Sequence, residues 1–268
     1  MDLLKYDMGA GVIAFSTKRG KGDEKYGAFN ITHYCGDNPE HVATCRKELC
    51  NALEIEDASL ILPRQTHDSE TLLVDEGFMQ CSDNERCELL HGIDAIVTRL
   101  PMVCIGVSTA DCVPVLLHDC TTGTAATIHA GWRGTVARIV EKCIEVMRRE
   151  CGCEPQNIKA VIAPSIGCEA FEVGDEVYAA FEDAGFPMQD IAVKKEKWHI
   201  DLWEANRRQL LHCGLCKENI HVAGVCTHTR CDEFFSARRL GINSGRIFNG
   251  IMITNAHPRL RATSNERK

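Results

Sequence analysis

The sequence has no apolar run approaching the roughly 18 residues of a membrane-crossing helix, which excludes such a span. It has no surplus of basic charge. Thirty Lys and Arg stand against 38 Asp and Glu, a formal net charge of −8, so a general nucleic-acid footprint is not expected. A secretory leader is not expected: the opening MDLLKYDMGAGVIAFS carries Asp2 and Asp7 and only a broken apolar stretch. The expected compartment is the cytoplasm. No linker, low-complexity tract or internal repeat interrupts the 268 residues. Folds of about 200–250 residues often form one unit, so a single domain over 1–268 is expected, with a polar tail from His257 to Lys268.

Several motifs are missing as well. There is no Gly-x-x-x-x-Gly-Lys-[Ser/Thr] and no complete Gly-x-Gly-x-x-Gly, so no ordinary nucleotide-binding loop. No His-x-Glu followed by Pro-Cys-x-x-Cys occurs, which excludes the usual zinc cytidine-type deaminase. No His-x-His pair occurs, although a multicopper oxidase would need several.

Hydrophobic residues make up 44% and charged residues 25%, enough apolar surface to order the chain and exclude global disorder. The 16 cysteines follow no regular spacing and read as reduced structural thiols of a reducing compartment. Cys104, Cys143 and Cys226 sit in apolar stretches as small core residues. Cys213-x-x-Cys216 lacks a matching pair, since Cys226 and Cys231 have the wrong spacing for a zinc knuckle.

Short apolar runs alternate with a few clear helices. Strands are expected at Gly11–Ser16, Ser59–Leu62, Thr71–Val74, Asp94–Thr98, Met102–Ser108, Val113–His118, Thr124–His129, Ile158–Ala163, His221–Cys226 and Ile247–Ile253. Asn38-Pro39 opens a helix to about Leu53, with proline at a tolerated first-turn position. Gly134-Thr135 opens the best helix, with Val136, Ile139, Val140, Cys143, Ile144 and Met147 on one face and Gly152 as its stop. Further helices run over Glu176–Ala184 and from Asp201 to His212. Strands mixed with helices, without regular βαβ alternation, predict an α+β fold of mixed β-sheets flanked by helices.

Three segments concentrate polar chemistry at strand ends: Arg64-Gln65-Thr66-His67, Ser108-Thr109-Ala110-Asp111-Cys112-Val113-Pro114-Val115, and Ile128-His129-Ala130-Gly131-Trp132-Arg133-Gly134-Thr135. His67, Cys112 and His129 together form a zinc donor set with an open fourth position. An open zinc lowers the pKa of its water to about 7. The same atoms permit a cysteine nucleophile, Cys112, with His129 or His67 as its base. The plain alternative is a core thiol and two hydrogen-bonded histidines. Arg133 precedes the best helix, and a helix N-terminus with arginine suits an anion. Arg238, Arg239 and Arg246 lie near glycines and can bind phosphate bidentately, unless Asp232 and Glu233 pair with this cluster instead. Phe234 and Phe235 read as core.

Thr109-Ala110-Asp111-Cys112-Val113-Pro114-Val115 followed by His129-Ala130-Gly131-Trp132-Arg133-Gly134 resembles the laccase-domain family. That family is also called multicopper polyphenol oxidoreductase or polyphenol oxidase, and its members are described as purine nucleoside phosphorylases with adenosine deaminase activity. Gln65-Thr66-His67, Ala163-Pro164-Ser165-Ile166-Gly167, Phe171-Glu172-Val173-Gly174, Phe234-Phe235-Ser236 and Ser244-Gly245-Arg246 extend the likeness over roughly Gly11 to Ile253. The chain departs from the family at Cys168, where the pattern has Pro, at Ala237, where it has Tyr, and at Arg19-Gly20-Lys21-Gly22. The resemblance implies a zinc ion held by His67, Cys112 and His129, with copper disfavoured by the missing His-x-His pairs. It implies phosphorolysis of adenosine, inosine, guanosine and methylthioadenosine, and deamination of adenosine. The implied partners are a small purine nucleoside and phosphate, with no nucleic acid and no membrane. Arg133, Arg239 or Arg246 would hold the phosphate, and Asp111 would accept a proton or orient a histidine ligand.

Overall fold

Alternation along the central strands fixes the layering. In the computed structural model, which describes residues 1–22 and 25–254, a six-stranded mixed sheet lies at the centre. Its order is β13 (Ile220–Val222), β9 (Ile158–Ile162), β7 (Val113–Asp119), β8 (Thr124–Ala130), β5 (Ile93–Thr98) and β4 (Glu70–Val74). Every residue of β7 and β8 is buried. Successive side chains of a strand point to opposite faces. Val113, Val115 and Leu117 accordingly pack with α5 (Ile139–Cys151) and α8 (Leu202–His212), while Leu116 joins the opposite core.

That opposite core is shared with a second sheet. Its order is β1 (Leu3–Tyr6), β2 (Val12–Thr17), β14 (Ile247–Ile253), β6 (Cys104–Thr109) and β3 (Leu60–Ile61). Ile96, Leu116 and Val161 of the first sheet meet Ile61, Ile105 and Ile251 of the second. The far face of the second sheet is covered by α1 (Pro39–Leu53), whose Cys45, Leu49, Cys50 and Leu53 pack on Phe15, Phe248 and Met252. The layers therefore run helix, sheet, sheet, helix, and the expected α+β architecture with mixed sheets is observed. A small third sheet, β10 (Glu172–Val173), β12 (Trp198–Ile200) and β11 (Ala192–Lys194), lies beside α6 (Asp175–Asp183) and α7 (Met188–Ile191).

Local chemistry explains several boundaries. The Asn38 side chain accepts the Glu40 N–H at the start of α1, with Pro39 in its first turn. Gly152 ends α5 in the left-handed region, donating its N–H to the Arg148 and Met147 carbonyls. Other boundaries move. The best helix begins earlier, as α4 (Trp132–Val136), and breaks at Arg138, which has φ 62, before α5 resumes. The strand expected at His221–Cys226 ends at Val222, and Cys226 is half-buried rather than core. Its sulfur accepts the Gly167 N–H at 3.2 Å. The strand expected at Ser59–Leu62 contracts to Leu60–Ile61, because Asp57–Ser59 turns as a 3₁₀ segment. The short helices α2 (Glu76–Gln80), α3 (Asp83–Leu89) and α9 (Ala237–Leu240), and the third sheet, had no apolar period to announce them. The polar tail from His257 lies outside the described residues.

Candidate metal centre

The hairpin of β7 and β8 and the neighbouring β5 bring the candidate donors to one end of the central sheet. Pro114 pairs with His129 and Val113 with Ala130, so Cys112 leads into β7 beside the exit of β8. Ala95 pairs with Ile128, which sets Asp94 next to His129. His67 arrives on the loop between β3 and β4. The donor atoms of His67, Cys112 and His129 all lie within 4.8 Å of one another. The two imidazole centroids are 4.8 Å apart at 77°, with the Cys112 sulfur beside both rings.

Gly131 leaves the space this triangle needs. A Cβ there would stand 3.2 Å from Cys112 Sγ, 3.3 Å from His67 Cδ2 and 3.7 Å from His129 Cε1. Two imidazoles and a thiol around such a cradle fit a metal ion in both donor chemistry and room. Among the described residues this is the one such group of three.

Asp94 organises the triangle. It is fully buried, and His129 Nδ1 meets its Oδ1 at 2.6 Å. The same carboxylate accepts the backbone N–H groups of Thr66 at 3.1 Å, His67 at 3.1 Å and Asp68 at 3.0 Å. These bonds hold His67 in the left-handed region, φ 64, which a non-glycine residue seldom occupies. With Nδ1 engaged, His129 has Nε2 left for a metal.

The electrostatics are coupled. Burial alone would push the Asp94 carboxyl up, but the His129 ring and the backbone N–H groups outweigh it and hold it below its ordinary value. Burial would lower His129, yet the Cys112 sulfur and Asp94 raise it. Burial would raise the Cys112 thiol, yet His129 and then His67 bring it down toward the thiolate.

A cavity of about 570 Å³ lies over the centre, within the roughly 300–1,000 Å³ range of small-molecule sites. His67, Cys112 and His129 line it, as do Asp111 and Arg246. Gln65 also lines it and joins two strand-like groups: its amide accepts the Ser108 N–H at 2.7 Å and donates to the Ser108 carbonyl at 2.9 Å.

Three other sequence candidates lie apart from the donor triangle. Arg133 is exposed and away from the cavity, with its guanidinium 4.4 Å over the Trp132 ring, because the helix starts at Trp132 and takes Arg133 into its first turn. Arg239 is exposed and off the cavity too, and its backbone N–H caps on Ser236 Oγ at 3.3 Å. The carboxylate on a histidine ring is Asp94's rather than Asp111's. Asp111 instead accepts the Thr227 hydroxyl and the Arg238 N–H, each at 2.7 Å. Phe234 and Phe235 are core as expected, and Glu233 pairs with Lys18 at 2.6 Å rather than with Arg239 or Arg246.

Sequence reasoning missed Asp94 and Tyr34. For Asp94 a signal existed: a carboxylate inside the apolar run Ile93–Val97 is a buried charge that demands partners. Arg238 stood beside Arg239 with nothing to separate the two. Tyr34 comes from an irregular loop with no pattern to mark it.

Residues 12–254 match the family described as multi-copper polyphenol oxidoreductase laccase. A Bacteroides thetaiotaomicron protein named purine nucleoside phosphorylase is 47% identical over 242 residues, covering 89% of this chain and 90% of its own. A protein of an unknown prokaryotic organism named adenosine deaminase RL5 is 45% identical over 246 residues, covering 90% and 94%. The crystal structure of the Bacillus licheniformis hypothetical protein YfiH superposes with a TM-score of 0.84 at 28% identity, covering 91% and 93%. With a match that spans almost every described residue, and with the His67–Cys112–His129 centre inside it, this chain belongs to the multi-copper polyphenol oxidoreductase laccase family.

Proposed function

We propose that the chain is a zinc-dependent enzyme of purine nucleosides. It cleaves adenosine, inosine, guanosine and methylthioadenosine with phosphate, giving the free base and the pentose 1-phosphate, and converts adenosine to inosine. The observation that carries this reading is the His67–Cys112–His129 triangle around Gly131, on the same cavity as Arg246. The names of the relatives, purine nucleoside phosphorylase and adenosine deaminase, support it. We place the activity in the cytoplasm and in one domain over 1–268. No helix among the described residues is long and apolar enough to cross a membrane.

His67, Cys112 and His129 would hold the zinc, which when bound supplies Lewis-acid activation of water and of a substrate group. Cys112 enters as thiolate, stabilised by the two imidazoles. Asp94 holds the His129 tautomer and ring plane through Nδ1. In phosphorolysis a phosphate oxygen bonds to C1′ while the C1′–N9 bond breaks, and the purine leaves with the electron pair and takes up a proton. Arg246 holds the phosphate in line for that displacement. In deamination the oxygen of water bonds to C6 while the C6–N6 bond breaks; one water proton leaves with the amine as ammonia and the other ends on N1.

A second reading has one observation in its favour. Cys112, His129 and Asp94 lie in the order of a Cys–His–Asp nucleophile. That reading leaves His67, held on strained backbone against the same thiol, without a task, whereas a metal centre uses it. Several coppers, as the family description has it, would need further ligand groups.

The test is product analysis on purified protein incubated with adenosine, with and without phosphate. Adenine and ribose 1-phosphate appearing only with phosphate, and inosine in either case, are expected. Turnover that survives chelation but not thiol alkylation would move the weight to the cysteine nucleophile. Phenol-dependent oxygen uptake with no nucleoside turnover would favour the oxidase.

A further inference from the structure

We propose that Arg238 and Arg246 together form a subsite for a phosphoryl group on this cavity, and that Asp111 is the positioning residue for Arg238. The proposal rests on the reading above only for the reaction that the subsite serves. Its physical basis is two cations without carboxylate partners on one cavity. Elsewhere in this chain of net charge −8 several arginines find carboxylates. Arg46 pairs with Asp57 at 2.9 Å, Arg138 with Glu141 at 3.3 Å, Arg207 with Glu204 at 2.6 Å and Arg208 with Asp190 at 3.0 Å. Among the described residues, Arg238 and Arg246 form no ion pair, yet both line the cavity.

Both guanidinium groups are held by neutral carbonyls instead. Arg246 donates to the Ser244 carbonyl, to that of Gly245 at 3.1 Å and to that of Ile242 at 2.7 Å. Arg238 donates to the Glu172 carbonyl at 3.2 Å, with its guanidinium carbon 5.8 Å from the Phe171 centroid. Such bonds fix orientation and leave the positive charge uncancelled.

One acid could have cancelled it. Asp111 is the single carboxylate lining the cavity among the described residues. Its two oxygens are taken by the Thr227 hydroxyl and by the backbone N–H of Arg238, each at 2.7 Å. It therefore anchors the main chain of Arg238 while bonding neither guanidinium. Asp111 has φ 87, and it adjoins Cys112 in sequence, so it also sets the spacing between the metal centre and this cation. Arg246 is anchored in the same way, its N–H donating to Asn30 Oδ1 at 3.2 Å while Asn30 Nδ2 donates to Asp37 at 2.8 Å. Two planar, permanently charged forks, fixed beforehand and unpaired, match the oxygens of a phosphoryl group. That group can arrive as inorganic phosphate or as the 5′-phosphate of a nucleotide.

The experiment is calorimetric titration of the metal-loaded full chain with inorganic phosphate and, separately, with adenosine 5′-monophosphate. Arg238→Ala should weaken binding of at least one of them about tenfold or more, and Arg238→Lys by less. Arg238 is exposed, so the melting temperature without ligand reports that the variant is folded. Asp111→Ala should weaken the same ligand, but add little once Arg238 is already alanine; a purely structural role would give additive losses. Loss confined to inorganic phosphate identifies a free co-substrate, and loss confined to the nucleotide identifies a 5′-phosphate. Unchanged affinity for both in Arg238→Ala overturns the subsite, even if the wild type cleaves adenosine with phosphate. A wild type that binds phosphate through Arg238 but turns over no nucleoside keeps the subsite and sinks the function proposed above.

Discussion

The strand ends that carry Cys112 and His129 and the segment that carries Arg238 and Arg246 border one cavity, but they are built in opposite ways. The first belongs to β7 and β8, each buried along all seven residues, and is tied to a buried carboxylate with four hydrogen-bond donors. The second consists of the four-residue α9 and the turn after it, exposed over residues 241–243 and held by bonds to loop carbonyls, Asn30 and Asp111. A donor triangle must be placed closely, and a rigid sheet supplies that precision. A cation that grips an oxyanion tolerates more movement, and its surroundings stay open to ligand. Substitutions in the first region should therefore disturb fold and metal together, while those in the second should disturb ligand affinity with little effect on the fold.

The largest effect is expected at Asp94. Asp94→Ala removes a buried anion that four donors share, which should cost ~3 kcal/mol or more of stability and the metal as well. Denaturant midpoints and metal content on the same sample would check this, and an unchanged midpoint would erase the contrast between the regions. Asp94 also carries a pH dependence. Its folded carboxyl titrates below its ordinary value, so its stabilisation is present above the ordinary carboxylate range and is lost as pH falls through the lowered value. Chelator-treated Asp94→Asn should accordingly show a flatter acid limb than chelator-treated wild type.

Gly131→Ala comes next. The added methyl would crowd Cys112 Sγ and His67 Cδ2, a steric cost of ~1–3 kcal/mol that should weaken metal binding about tenfold or more. Competition with a chromogenic chelator measures it, and wild-type affinity would show that the cradle is not needed. Arg246→Ala should cost only ~1 kcal/mol of stability through the freed carbonyls of the turn, with metal content unchanged. Loss of metal in that variant would mean that the two regions are one unit. Ile242→Ala is the smallest: the residue is 73% exposed, and the midpoint should stay within ~0.5 kcal/mol of wild type.

The same contrast explains what could be read before any coordinates. The buried strands announced themselves by apolar runs, so β7, β8, β9 and β14 fell close to their expected bounds. His67, Cys112 and His129 stood out as metal-type donors at the ends of such runs, and the sheet brings them together. The anion side was less legible. Arg133, Arg238, Arg239 and Arg246 have the same chemistry, and only the start of α4 at Trp132 and the turn of α9 decide which of them meet the cavity. Asp111 and Asp94 were confused for a related reason. Proximity in sequence favoured Asp111, beside Cys112, whereas antiparallel pairing of β5 with β8 delivers Asp94.

The most direct measurement is metal content by mass spectrometry for the purified wild type and for Cys112→Ala, which removes a donor without touching Asp94. About one zinc per chain in the wild type, and little in a folded Cys112→Ala, is the expected result. No zinc in the wild type, or zinc kept by the variant at the wild-type level, would contradict a centre built by His67, Cys112 and His129.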